Sequence, residues 1–174
     1  DMTSNDVIWL KIFGQWLVSF DGTTWTEHAS MVNFPSNNIT SFAIDNSNNV
    51  FVSDWTTVAK FNGTGWTNVS PANAYDGALA REASNGSIWL ADDQGLQEYT
   101  GSGWSALIAG PSSPDFRPED MLVAPNGDIW ITSIGSCYVS RYSQANSAWT
   151  NYDTNNVALF AKQWWYSNIA ITHD

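Results

Sequence analysis

The chain has 174 residues, 11 of them tryptophan, with only 6 Lys plus Arg against 17 Asp plus Glu, and this length suffices for one domain with a real core. A formal net charge of −11 repels phosphate backbones and anionic headgroups, so neither nucleic acid nor a membrane surface is an expected partner. No apolar run is long enough to span a bilayer, no basic start leads into an apolar segment, and Cys137, the single cysteine, leaves no internal disulfide to form.

The elements fall into a repeat when taken in chain order. A first apolar strand, Val7-Ile8-Trp9-Leu10, is followed by a strand ending at Phe20, a turn Asp21-Gly22-Thr23-Thr24, and a strand beginning near Trp25. The next unit opens with a short apolar strand at 39–44. It continues through Asn49-Val50-Phe51-Val52, a strand ending at Phe61, the turn Asn62-Gly63-Thr64-Gly65, and a strand from Trp66. The third has its opening strand at 78–83, then the turn Asn85-Gly86, Ser87-Ile88-Trp89-Leu90, a strand ending at Tyr99, and one from Trp104. The fourth runs from 120–124 through Asn126-Gly127, Asp128-Ile129-Trp130-Ile131, a strand ending at Tyr142, and one from Trp149. A last segment at 168–172 has the character of an opening strand with nothing after it.

The aromatic positions 9, 51, 89 and 130 stand 42, 38 and 41 residues apart. Units of this length, made of short strands and Gly/Asn turns, are the signature of propeller blades. No stretch carries a helical period, so helix is not expected. The sequence therefore predicts one all-β domain over 1–174, with repeats at about 7–44, 45–83, 84–124 and 125–172. Its fold is a β-propeller of four four-stranded blades, whose strands are named A to D outward from the axis. The first unit lacks its strand A, and 168–172 is the spare. Pairing Ile169 and Ile171 beside the first strand closes the ring within the chain. The alternatives are half of an eight-bladed ring and a series of chains that donate the strand onward.

Few residues suggest chemistry. Gly101-Ser102-Gly103-Trp104-Ser105 is a turn of the repeat, and His173 beside Asp174 reads as a solvated tail or a closure contact rather than a catalytic dyad. Two histidines and one cysteine do not make a zinc site. Asp92-Asp93, Glu119-Asp120 and the run from Asp45 to Asn49 read as turn residues and match no calcium loop. Arg81 and Glu82 interrupt an inner strand and read as a local ion pair, with a place lining the central channel as the alternative. No catalytic residue, metal or cofactor is expected.

The repeat also sorts the tryptophans. Trp9, Trp89 and Trp130 share one position, and Trp25, Trp66, Trp104 and Trp149 share another, so packing between blades accounts for them. Trp16, Trp55, Trp164 and Trp165 stand outside the repeat. Antiparallel strands bring the B–C loops and D–A connections to one face of the disc. Trp16, Trp55, Phe160, Trp164, Trp165 and Tyr166 are therefore predicted to form an aromatic loop face, joined by Phe34, Tyr75 and Phe116.

The motifs Asn38-Ile39-Thr40-Ser41-Phe42-Ala43-Ile44-Asp45, Phe61-Asn62-Gly63-Thr64-Gly65-Trp66 and Pro125-Asn126-Gly127-Asp128-Ile129-Trp130-Ile131-Thr132 resemble the two-component regulator propeller repeat. That repeat belongs to bacterial extracytoplasmic sensor domains and related secreted proteins. The Asn-Gly-Asp-Ile-Trp segment is also similar to virginiamycin B lyase-type propellers, although His28 and His173 do not supply a corresponding histidine constellation. The resemblance implies an extracellular or periplasmic location. The function expected is a non-enzymatic recognition or assembly module that binds a protein partner, further copies of itself included. The alternative is a lectin-like propeller that binds a glycan.

Overall fold

The structure is a computed structural model that describes residues 2–12, 17–28, 39–54, 56–72, 77–112, 116–133, 138–157 and 169–170. Among these residues there are strands and turns and no helix. Blade 1 consists of β1 (Ile8–Lys11), β2 (Leu17–Phe20) and β3 (Trp25–Glu27) in that order. Blade 2 is β4 (Ser41–Ile44), β5 (Val50–Ser53), β6 (Val58–Phe61) and β7 (Trp66–Asn68). Blade 3 is β8 (Ala78–Arg81), β9 (Ile88–Asp92), β10 (Gly95–Tyr99) and β11 (Ile108–Ala109). Blade 4 is β12 (Pro118–Val123), β13 (Ile129–Ser133), β14 (Tyr138–Ser143) and β15 (Ala148–Tyr152).

Every pairing within a blade is antiparallel, between strands consecutive in sequence. Tight polar turns make this possible. Asp21 Oδ1 accepts from the backbone N–H groups of Thr23 and Thr24, and Asn62 Oδ1 does the same for Thr64 and Gly65. Gly22 and Gly63 supply φ values of 96° and 93°, which L side chains rarely adopt.

Burial follows position in the blade. The second strands of the inner blades are covered on both sides: every residue of β5 and β9 is buried. Their sequences accordingly read as continuous apolar runs rather than alternations. The outermost strands β3 and β7 have three residues each and are largely exposed, which keeps the unpaired edges short.

The core lies between blades, in three clusters. The first joins Trp9 and Leu17 of blade 1 to Ile44, Val50 and Val52 of blade 2. The second joins Ala43 and Phe51 of blade 2 to Leu79, Ile88 and Leu90 of blade 3. The third joins Ala80 and Trp89 of blade 3 to Met121, Ile129 and Ile131 of blade 4. At the axis, β8 packs against both β4 and β12. Hydrogen bonds reinforce this contact: the Leu79 N–H donates to Ser41 Oγ at 3.0 Å, and Ser53 Oγ donates to the Gly77 carbonyl at 2.8 Å.

Several expectations need correction. Trp104 does not begin a strand; it bridges Tyr99 singly, and the fourth strand of blade 3 comes later, at Ile108–Ala109. Trp25 is not a packing residue here, being 58% exposed. Arg81 and Glu82 do not pair with each other: Arg81 donates to Asn46 Oδ1, while the Glu82 carboxylate accepts from Ser84, Trp89 and Gln144. The closing pair is not shown, because of the terminal segment only 169 and 170 are described and they lie in no strand.

Candidate binding surfaces

The aromatic loop face predicted from sequence falls outside the described residues: Trp16, Trp55, Phe160, Trp164, Trp165 and Tyr166 all do, as does Ile171. Phe34 and Tyr75 fall outside as well. Phe116 is described, and it turns inward. It is 4% exposed and meets Trp149 edge to face at 5.5 Å, so it belongs to the core between blades 3 and 4.

The opposite face carries a cleft of about 290 Å3 that sequence reasoning missed. It lies between the hairpin turns of blades 2 and 3, with Asn46, Asn85 and Ser87 on its polar side and Tyr99 on the other. Arg81 ties the two turns together through Asn46 Oδ1 at 3.2 Å. The signal was present as two polar turns at equivalent repeat positions, but their apposition requires knowing how the blades fan. Asp45, which lines the cleft, is occupied by its own turn: its Oδ1 accepts from Ser47 and Asn49. On the other face, in a B–C loop, Asp92 Oδ1 likewise accepts from Gln94 and Gly95.

Four titratable groups depart from ordinary values for structural reasons. Hydrogen bonds from the Thr24 and Thr23 N–H groups and the Thr23 hydroxyl hold the Asp21 carboxyl below the usual carboxylate range. Burial between Trp9, at 4.4 Å, and Phe61, at 5.3 Å, lowers the His28 imidazole below its usual range. Burial raises Glu82, but hydrogen bonds from Ser84, Trp89 and Gln144 together hold its carboxyl below the ordinary value. Burial raises Asp120, and the Ile169 and Met121 N–H groups and the Lys11 ammonium only partly offset it.

Most informative are the two ends of the blade series. On the outer face of blade 1, Ile8, Leu10 and Trp25 are 39%, 41% and 58% exposed. On the outer face of blade 4, Leu122 and Trp130 line a cavity of about 280 Å3 with Ile169 and Ala170. Trp130 stacks on Tyr152 at 5.6 Å, and the Arg141 guanidinium lies 5.7 Å from its ring while reaching Asp128 at 3.8 Å. The Ile169 N–H donates to Asp120 Oδ2 at 2.9 Å, which fixes this part of the terminal segment against the inner strand of blade 4.

Comparison with solved structures decides the architecture. Virginiamycin B lyase from Staphylococcus aureus matches with a TM-score of 0.69 at 16% identity, over 88% of this chain and 54% of the lyase. The fold is a β-propeller. The extracellular domain of a hybrid two-component system from B. thetaiotaomicron superposes with a TM-score of 0.68 at 17% identity, over 90% of this propeller and 23% of that chain. YCF48 bound to D1 peptide gives a TM-score of 0.62 at 16% identity, over 87% and 52% of the two chains. The propeller thus spans about half the length of the lyase and of YCF48. Both groups of propellers that the sequence motifs resemble are among its structural neighbours. No protein-family model matches the sequence, and no curated protein matches it. Among the described residues no helix is long and apolar enough to cross a membrane.

Proposed function

We propose that this propeller is a non-enzymatic, extracellular recognition module that holds a protein segment against its loop face. The observation that carries the reading is the strand order. Each blade runs antiparallel from the axis outward, so the B–C loops and D–A connections leave their strands on the same side. By position in the chain, those connections hold every tryptophan that the repeat does not use: Trp16, Trp55, Trp164 and Trp165. Rings of this kind suit protein interfaces, where an apolar body and a polar N–H are both useful. Propellers of similar shape include the extracellular domain of a two-component system and one bound to a peptide, which supports the location and the class of ligand.

The test is a binding screen of the immobilised chain against a random peptide display library, run beside a glycan array. The reading expects peptide ligands whose binding falls at least about tenfold in Trp164→Ala or Trp165→Ala, the size of a tryptophan anchor's contribution. Glycan binding without peptide binding would replace it with the lectin reading. Peptide binding unchanged by either substitution would move the site off this face.

A further inference from the structure

The three interfaces inside the chain are built from the same parts. The strand registers place Trp9, Phe51, Trp89 and Trp130 at one repeat position, opposite Ser19, Lys60, Glu98 and Arg141 respectively. In each interface, that aromatic meets the neighbouring pair on the second strand of the next blade: Val50 with Val52, Ile88 with Leu90, or Ile129 with Ile131. Those six residues are at most 1% exposed. A residue of the next blade's innermost strand completes the contact, namely Phe42, Leu79 or Met121. The tryptophan of the next blade's outer hairpin can also tie backward. The Trp104 indole N–H donates to the Val69 carbonyl of blade 2, and that of Trp149 to the Ala109 carbonyl of blade 3 at 2.9 Å.

Blade 4 carries half of a fourth such interface. Trp130 and Leu122 stand where Phe51 and Ala43 stand in blade 2. Ile169 takes the place of Leu79, because its N–H bonds Asp120 as that of Leu79 bonds the equivalent Ser41. Among the described residues, what the cavity beside Trp130 lacks is the pair from a next second strand and the hairpin tryptophan. Those parts are the ones left exposed on blade 1: Ile8, Leu10 and Trp25.

We propose that blade 1 of one copy docks on blade 4 of a second copy, Ile8 and Leu10 entering the cavity beside Trp130, so that two copies complete one ring. The occupant is a second copy rather than the chain's own blade 1 because that blade leaves the cavity open and its own face exposed. The contact continues an interface that the chain already makes three times, and it is heterologous, a head against a tail. It goes beyond the recognition reading and does not involve the loop face.

Sedimentation equilibrium of the 174-residue chain is expected to give twice the 19.2 kDa chain mass. Leu10→Arg and Leu122→Arg, each alone, are expected to give the single-chain mass with an unchanged β circular dichroism spectrum. An equal mixture of the two variants is expected to regain a pair, because one intact head and one intact tail remain. Trp25→Ala, a milder change at an exposed position, is expected to weaken pairing by about tenfold or more. A wild-type chain at single-chain mass overturns the proposal, and a melting point lowered by Leu10→Arg in that chain would place the closure within one copy. A ladder of masses beyond two copies overturns the ring. A chain that does not pair but binds peptide leaves the recognition reading standing, and a pair that binds none leaves the docking standing.

Discussion

Trp89 and Trp130 occupy the same place in consecutive blades, yet their surroundings differ. Trp89 is 3% exposed, packed with Ile129 and Ile131, and its N–H is held by Glu82 at 2.9 Å. Trp130 is half-buried beside an open cavity, with Tyr152 stacked on one side and Arg141 nearby. The same contrast separates Trp66, packed against blade 1's cluster, from Trp25, whose ring partner among the described residues is Phe20 at 4.7 Å in its own blade. What differs is the neighbour. The local hairpin places a tryptophan, and only an adjacent blade turns it into core.

Substitutions can break or sharpen this comparison. The largest effect is expected at the inner positions. Trp89→Ala and Trp66→Ala should each destabilise the fold by roughly 3–5 kcal/mol, since each removes a large side chain from an interface that cannot collapse around the loss. Trp130→Ala and Trp25→Ala, measured by urea melts under dilute conditions where pairs dissociate, should cost less than about 1 kcal/mol. Equal losses at inner and end positions would mean that the ends are already covered.

A smaller effect belongs to Glu82. Its carboxylate joins Trp89 and Ser84 of blade 3 to Gln144 of blade 4. Glu82→Ala leaves a buried indole N–H unsatisfied, so a loss of about 1–3 kcal/mol is expected. Because its folded pKa is held below 4.5, its contribution is full above that value and disappears as the pH falls below it. Glu82→Gln should therefore reduce the loss of stability below that value without abolishing the contributions of other groups.

The smallest effect is at His28, in the interface of blades 1 and 2. Its folded pKa lies below 6.5, so the unfolded chain takes up a proton that the folded chain refuses. Stability is then full above 6.5 and declines as the pH falls through that value toward the lowered one. Thermal melts from about pH 7 to about pH 5 should show this decline, and His28→Gln should flatten it. A slope that survives the substitution would assign the effect to another group.

Much of the fold was legible in the sequence because a repeat states its own packing. The ends of β2, β6 and β10 at Phe20, Phe61 and Tyr99, and the starts of β3 and β7 at Trp25 and Trp66, coincide with the motif positions. Blade 3 departs because its outer hairpin is looser: Trp104 turns to bond the Val69 carbonyl, and pairing resumes at Ile108. The exposure of Trp25 was hidden because a repeat position predicts burial only if a preceding blade exists to provide it. Arg81 and Glu82 read as an ion pair because they are adjacent. Neighbouring residues on a strand point to opposite faces, and each found its own partner. The turn-face cleft and the cavity beside Trp130 were illegible for one reason: both lie between blades and depend on how the sheets fan.

Nuclear Overhauser measurements on a mixed sample test the account most directly. One copy carries labelled Ile and Leu methyl groups, and the other carries labelled indole rings. The account predicts contacts between chains from the Ile8 and Leu10 methyls to the Trp130 indole, while contacts between Ile129 or Ile131 and Trp89 remain within one chain. Finding the Ile8 and Leu10 contacts only within a chain, or not at all in a folded sample, would contradict it.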